Sequence, residues 1–260
     1  MFPEGGQDMD TKAFVAALLL APLLLAASPR APAIDRSAFG VTLEGGGVWF
    51  SRNDVRIPGD TGTRFDLLRL TGTGPDGYFR LRAHWNITPR HGLRIGVAPL
   101  EVSGTGNLDK VTRFAGETFS PGRTRATYRF STYRLTYRYT FAEGPAYLWR
   151  VGFTGLVRDA KIQLDQGAKQ ARDTNVGFVP LLHLDGRMRI APGWSFVLDF
   201  DGLASSQGRA LDLAIQVQRD LGEHWRLGGG YRTLEGGADN DEVYNFAWLH
   251  YGFASLSYRF

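Results

Sequence analysis

Two short motifs carry the residue types of acid–base chemistry. His183-x-Asp185 and Asp199-x-Asp201 flank a tight connection at Ala191–Gly193. If the flanking segments pair as antiparallel strands, residues whose numbers sum to about 384 face each other. His183 then meets Asp201, and Asp185 meets Asp199. A histidine beside carboxylates can serve as general base for an activated water. The same set, with Arg187 next along, forms an ion-pair network if it is enclosed, because buried charges persist only when paired. The network is the expected role and catalysis the alternative.

Other chemistry has less support. The stretch Glu235–Glu242 clusters side-chain oxygens, but its spacing is not that of an EF-hand, and it reads as a solvated acidic loop. No metal site is expected. The chain has no Cys, which removes disulfides, thiol catalysis and Cys-based zinc sites together. Gly45–Gly47 and Gly228–Gly230 lack the Gly-Lys-Ser/Thr of a phosphate loop and lie inside strand patterns, so no nucleotide cofactor is expected. The arginines alternate with apolar residues and form no solvent-facing patch, which argues against nucleic acid as a partner. A lipid-modifying hydrolase would need a Ser/His/acid set facing lipid. His250 is expected to face outward, but Ser255 and Ser257 point the other way.

The elements that position these residues are strands. From residue 38 onward period-2 alternation recurs in stretches of about ten residues. Phe79, Leu81, Ala83, Trp85 and Ile87 alternate with Arg80, Arg82, His84 and Asn86. Tyr133, Leu135, Tyr137, Tyr139 and Phe141 alternate with Thr132, Arg134, Thr136, Arg138 and Thr140. A soluble sandwich also alternates, but its buried face is mostly aliphatic and its outer face mixed. Here the apolar face is aromatic-rich and the polar face carries Arg in strand after strand. An apolar face toward lipid and a polar face toward a lumen account for both. The expected polar network of the lumen is Glu44, Arg80, Arg82, His84, Arg94, Arg134, Arg150, His183, Asp185, Arg187, Asp199, Asp201, Asp212 and Arg232.

The connections give an orientation. Those at Pro89–Gly92, Ala142–Pro145, Ala191–Gly193 and Leu221–His224 are tight. The alternate ones, near 52–76, 104–126, 160–173 and 235–244, read as longer loops, with 206–208 a short exception. Short turns on one side and long loops on the other match an outer-membrane barrel with its short turns in the periplasm. Tryptophan adds a check: Trp85, Trp149, Trp194 and Trp225 lie near short turns, whereas Trp49 and Trp248 lie beside long loops. Two aromatic belts at two membrane interfaces would look like this.

Composition agrees. With 43% hydrophobic and 22% charged residues over 260 positions, neither disorder nor a polytopic helical membrane protein fits. Ala13–Ala27 is the one long apolar run, 15 residues broken by Pro22, too short to span a bilayer as a helix. Lys12 precedes it and Ala31-Pro32-Ala33 follows as a small-x-small cleavage site, so residues 1–33 read as a cleaved signal peptide. Residues 1–8 hold acids and no base, which makes Met9 a second candidate start. Residues 34–260 then carry 28 basic and 23 acidic side chains.

The chain ends Leu256-Ser257-Tyr258-Arg259-Phe260. This resembles the terminal-strand signature of bacterial outer-membrane β-barrel proteins, with Leu256, Tyr258 and Phe260 as the assembly signal. The resemblance covers residues 34–260 and implies, as partners, outer-membrane lipid and lipopolysaccharide, periplasmic chaperones and the barrel assembly machinery. The His183, Asp185, Asp199 and Asp201 set is similar to that of omptin proteases, ten-stranded barrels that use an Asp pair and a His–Asp pair. Omptins hold those pairs across an extracellular cleft, whereas here they fall on neighbouring strands. The sequence thus predicts an all-β fold, a single transmembrane antiparallel β-barrel of about ten strands. Its expected function is non-enzymatic, structural or a narrow passage for small solutes or anions. The alternatives are an omptin-like or lipid A modifying enzyme, or a surface adhesin or receptor acting through its long loops.

Overall fold

The computed structural model describes residues 37–205 and 208–260. The signal segment expected at 1–33, with its cleavage site, lies outside the described residues. In chain order, β1 (Phe39–Arg56) leads into a first outer loop with β2 (Phe65–Asp66) and a one-turn helix α1 (Leu68–Thr71). Next come β3 (Asp76–Asn86), β4 (His91–Ala98) and β5 (Glu101–Leu108). A second outer loop holds the small hairpin β6 (Thr112–Phe114) and β7 (Glu117–Phe119). The long strands β8 (Gly122–Glu143), β9 (Tyr147–Gln166) and β10 (Lys169–Ala191) follow. The chain finishes with β11 (Trp194–Ser205), β12 (Gly208–Leu221), β13 (Trp225–Asp239) and β14 (Tyr244–Arg259).

β4 and β5 pair in succession with β8 and act as one strand. Among the described residues the wall therefore has ten antiparallel strands, each beside its sequence neighbour. β1 pairs with β3 on one side and with β14 on the other, Gly40 opposite Arg259, so the sheet closes on itself. Closure matters in lipid, where an open edge leaves backbone donors and acceptors without water. Phe260 extends the seal: its N–H donates to the Phe39 carbonyl at 3.0 Å, and the two rings lie 5.2 Å apart.

The outer wall carries large exposed apolar side chains on strand after strand, among them Leu43, Phe79, Ile95, Leu135, Phe153, Ile215, Leu227 and Leu256. A water-soluble protein does not expose so continuous an apolar surface. At about 3.3 Å per residue and a tilt near 40°, the stretch from Phe39 to Trp49 rises about 25 Å, the height of the lipid-facing band of such barrels.

One expectation fails in this wall. The connection predicted as a loop over 160–173 is strand: β9 and β10 stay paired up to Gln166 and Lys169, turning at Gly167 with φ 61°. The cause is an inversion of polarity along the same period. Lower on β9, Trp149, Val151, Phe153 and Val157 face lipid. Higher up, Asp159, Lys161, Gln163 and Asp165 take the outward positions, and Ile162 and Leu164 are buried inside. The remaining loops are also shorter than expected, spanning 57–75, 109–121 and 240–243.

The inverted region has a core of its own. Ile57, Phe65, Leu67 and Leu70 from the first loop and Phe114 and Phe119 from the second pack against Val48, Phe50, Val102, Tyr128 and Leu249 of the wall. Burying each of the two Phe side chains stabilises by about 1.5–3 kcal/mol. The barrel interior is thus layered, polar toward the short turns and apolar toward the long loops.

Candidate functional site

The polar layer is built by the inward residues of β1, β3, β4 and β8–β13. Glu44 is 0% exposed and accepts from the Tyr78 hydroxyl at 2.9 Å. It also pairs with Arg82 at 3.2 Å, Arg232 at 3.3 Å and Arg80 at 3.7 Å. Asp212 pairs with Arg232 at 2.5 Å, Arg134 at 2.7 Å and Arg80 at 3.5 Å. Asp199 takes Arg82 at 2.6 Å and both Nη groups of Arg94, at 2.9 and 3.1 Å. Every carboxylate here is shared by at least two cationic side chains, which is what low-dielectric surroundings demand of a buried charge.

His183 joins two of these carboxylates. The register is β10 against β11 with His183 opposite Asp201 and Asp185 opposite Asp199. Nδ1 lies 2.8 Å from Asp201 Oδ1 and Nε2 lies 2.9 Å from Asp185 Oδ2. Both neighbours are carboxylates, so each ring nitrogen faces an acceptor. Asp201 is held further by Thr154 at 2.8 Å and Arg134 at 2.8 Å. Asp185 is held by Arg150 at 2.7 Å and by Arg138 at 3.8 Å.

Of the residues singled out from sequence, Glu44, Arg80, Arg82, Arg94, Arg134, Arg150, His183, Asp185, Asp199, Asp201, Asp212 and Arg232 come together in this layer. Arg187 stands lower and donates to Gln218 at 2.5 Å. His84 lines a cavity of about 90 Å³ at the short-turn end, together with Arg94, Arg138 and Gln218. Arg138, Tyr78 and Thr154 were missed. Arg138 and Thr154 share the parity of their inward neighbours, which was the available signal. Tyr78 shares the inward parity of Arg80 and Arg82, just ahead of the alternation read from Phe79. The six Trp residues lie on the outer wall, Trp85, Trp149, Trp194 and Trp225 near the short turns and Trp49 and Trp248 near the loops. Gly186 lets Trp149 lie against the wall, since a Cβ there would strike the indole.

A second polar group faces lipid. The β1–β14 ladder slips between Phe50 and Arg52, and this bulge adds Ser51 as an extra residue beside His250. Ser51 Oγ is 2.8 Å from His250 Nε2, and the Tyr231 hydroxyl is 2.5 Å from Nδ1. Ser255 and Ser257 point into the barrel, as expected. Ser51 keeps the outward parity of Trp49, since the bulge shifts parity only beyond it; it was not singled out because it stands at the edge of the expected first loop.

No protein-family model matches the chain, and no curated protein matches it by sequence. Solved structures do. The outer membrane protease OmpT from Escherichia coli superposes with a TM-score of 0.50 at 11% identity, over 91% of this chain and 99% of that one. This chain has the fold of a bacterial outer-membrane β-barrel. Neisserial surface protein A aligns over 86% of this barrel and 98% of its own chain, at TM-score 0.38 and 12% identity. Ail of Yersinia pestis aligns over 85% and 99%, at TM-score 0.38 and 8% identity. At these identities the likeness concerns the barrel fold alone.

Proposed function

We propose that this barrel resides in the outer membrane of a Gram-negative bacterium as a non-enzymatic, closed structure, its periplasmic half sealed by the buried ion-pair layer. The layer carries the reading. Between Arg80, Arg82, Arg94, Arg134 and Asp199 the free space is about 10 Å³, room for about one water. A passage for anions would need these arginines to release the carboxylates that they share. His183 has both nitrogens committed to carboxylates, which leaves no lone pair for a general base. The lipid-facing band and the terminal Leu256, Tyr258 and Phe260 support insertion by the assembly machinery after a chaperoned periplasmic transit. Arg123, Arg125 and Arg172 are exposed above the band, where lipopolysaccharide phosphates would meet them. Refolded protein in planar bilayers should show no conductance steps. Regular, anion-selective steps would overturn the closed reading.

One observation favours a second reading, an outer-leaflet hydrolase. Ser51, His250 and Tyr231 form a hydrogen-bonded chain of nucleophile, base and orienting group at the lipid interface. The third member is a phenol where acyl hydrolases of this logic use a carboxylate. Incubation with lipopolysaccharide separates the readings: release of fatty acid that disappears in Ser51→Ala would establish the hydrolase.

A further inference from the structure

The wall is incomplete at one place. The ladder between β10 and β11 ends at Leu182 opposite Gly202. Beyond it β10 continues to Lys169, paired with β9 alone among the described residues, while β11 runs on only to Ser205. Pro180 lies two residues past the last pair. It has no N–H to give a ladder, and within sheets proline is confined to edges and bulges. The missing pairs lie near the top of the apolar band. Phe178 pairs with Val157, which faces lipid. The next outward residue of β9 is Asp159, in an ion pair with Arg129 at 3.1 Å. A short unpaired edge is tolerable at that depth, next to water and headgroups, where it would not be in mid-hydrocarbon.

Behind the gap lies a cavity of about 600 Å³, within the range of small-molecule sites. Its inner walls are apolar: Leu156, Leu181, Leu203, Leu234 and Ala247. Its floor is the top of the ion-pair layer, Arg134 and Asp212. Two further lining residues, Phe178 and Pro180, have the outward parity of Leu182, and Phe178 is 70% exposed on the lipid side. Residues of both faces of β10 bound the one cavity, Leu181 from inside and Phe178 and Pro180 from outside, as an opening past the end of the β10–β11 ladder would leave them. Leu203 fits the same picture, having inward parity yet being 41% exposed. The upper rim holds Arg158, Arg209, Glu235 and Glu242, two charges of each sign with Arg209 paired to Glu235, so nothing there selects a charged ligand. Arg158 donates to Asn175 at 2.7 Å and keeps a buried Nε without a protein partner, which suits a ligand bearing one acceptor oxygen.

We propose that the outer half of the barrel is a binding site for a small, uncharged, largely apolar molecule that moves sideways between the cavity and the outer leaflet through the gap between β10 and β11. The proposal rests on the membrane placement above. Apolar walls and acyl chains are comparable surroundings for such a molecule, so it can exchange between them, and the charged floor stops it from continuing down the lumen.

A diazirine-bearing linear alkane dissolved in phosphatidylcholine vesicles tests this on the refolded full barrel. Photolysis followed by peptide mass spectrometry should label outward residues such as Leu135 and Phe153, and also the inward Leu234 and Ala247. Extending the register sets Val179 opposite Ser205. Val179→Cys with Ser205→Cys, bridged after folding by a bifunctional thiol reagent, should abolish the inward labelling and keep the outward labelling. The absence of native Cys makes the bridge specific. Outward labelling without inward labelling in the unmodified barrel would overturn the site. Inward labelling that survives the bridge would overturn the lateral route. Loss of outward labelling would instead refute the membrane placement.

Discussion

Asp199→Ala should cost the barrel much of its stability, and the structure says why. The carboxylate is the meeting point of Arg82 at 2.6 Å and a two-pronged contact from Arg94 at 2.9 and 3.1 Å. Arg82 keeps Glu44 as a second partner, but among the described residues Asp199 is the only carboxylate within ion-pair distance of Arg94. Removing it leaves the buried Arg94 guanidinium without a carboxylate, with the 90 Å³ cavity below as its one wet side. Breaking a buried pair from one side costs about 3–5 kcal/mol. That is about two to three and a half decades in the folding equilibrium. The assay is urea titration of folding in lipid vesicles, read by the heat-modifiable migration of the folded barrel on gels. Asp199→Ala with Arg94→Leu removes the stranded charge as well and should recover most of the loss. A single variant as stable as the parent would refute the buried-pair reasoning. A double variant no better than the single one would show that the damage comes from packing instead.

Three further outcomes follow from the same geometry. Deleting Phe260, which is exposed at the lipid interface, should leave the refolded barrel nearly as stable yet lower its level in the outer membrane. Normal levels in cells, or failure to refold in detergent, would contradict this. A Cys at position 240 should react with an impermeant thiol reagent on whole cells and a Cys at position 143 should not; the reverse pattern would invert the barrel. Above the apolar band, burial pushes the Asp173 carboxyl above its ordinary value, and the Glu242 charge pushes the same way. A raised carboxyl contributes stability while protonated and loses it as pH rises through its folded value. Asp173→Asn should therefore flatten that decline and raise Tm slightly at neutral pH, and a thermal profile identical to the parent's would refute the assignment.

The barrel was legible in the sequence because a closed sheet in lipid imposes a local rule. Each strand must alternate with a period of two, and Phe79–Ile87 and Tyr133–Phe141 display it openly. The β10–β11 register was legible too, since the tight turn at Ala191–Gly193 sets His183 opposite Asp201 by counting alone. Parity placed the inward arginines. It did not reveal who pairs with whom: Arg94 reaches Asp199 from a strand 105 residues away, a distance that only closure of the sheet makes short. The apolar outer half escaped for a related reason. Ile162 and Leu164 keep the same period as Arg150 and Thr154, and only the loops folding over them turn inward from polar to apolar. Ser51 escaped because it stands where the first loop was expected to begin, although it keeps the outward parity of Trp49. The gap behind Pro180 left two local traces, a proline within a strand and the short connection at 206–208. What they mean depends on the unequal lengths of β10 and β11 in space. Sequence specifies which face of each strand meets lipid, because that choice is made residue by residue. Partners, layers and openings depend on strand order, stagger and length around the whole barrel, so the tertiary structure decides them.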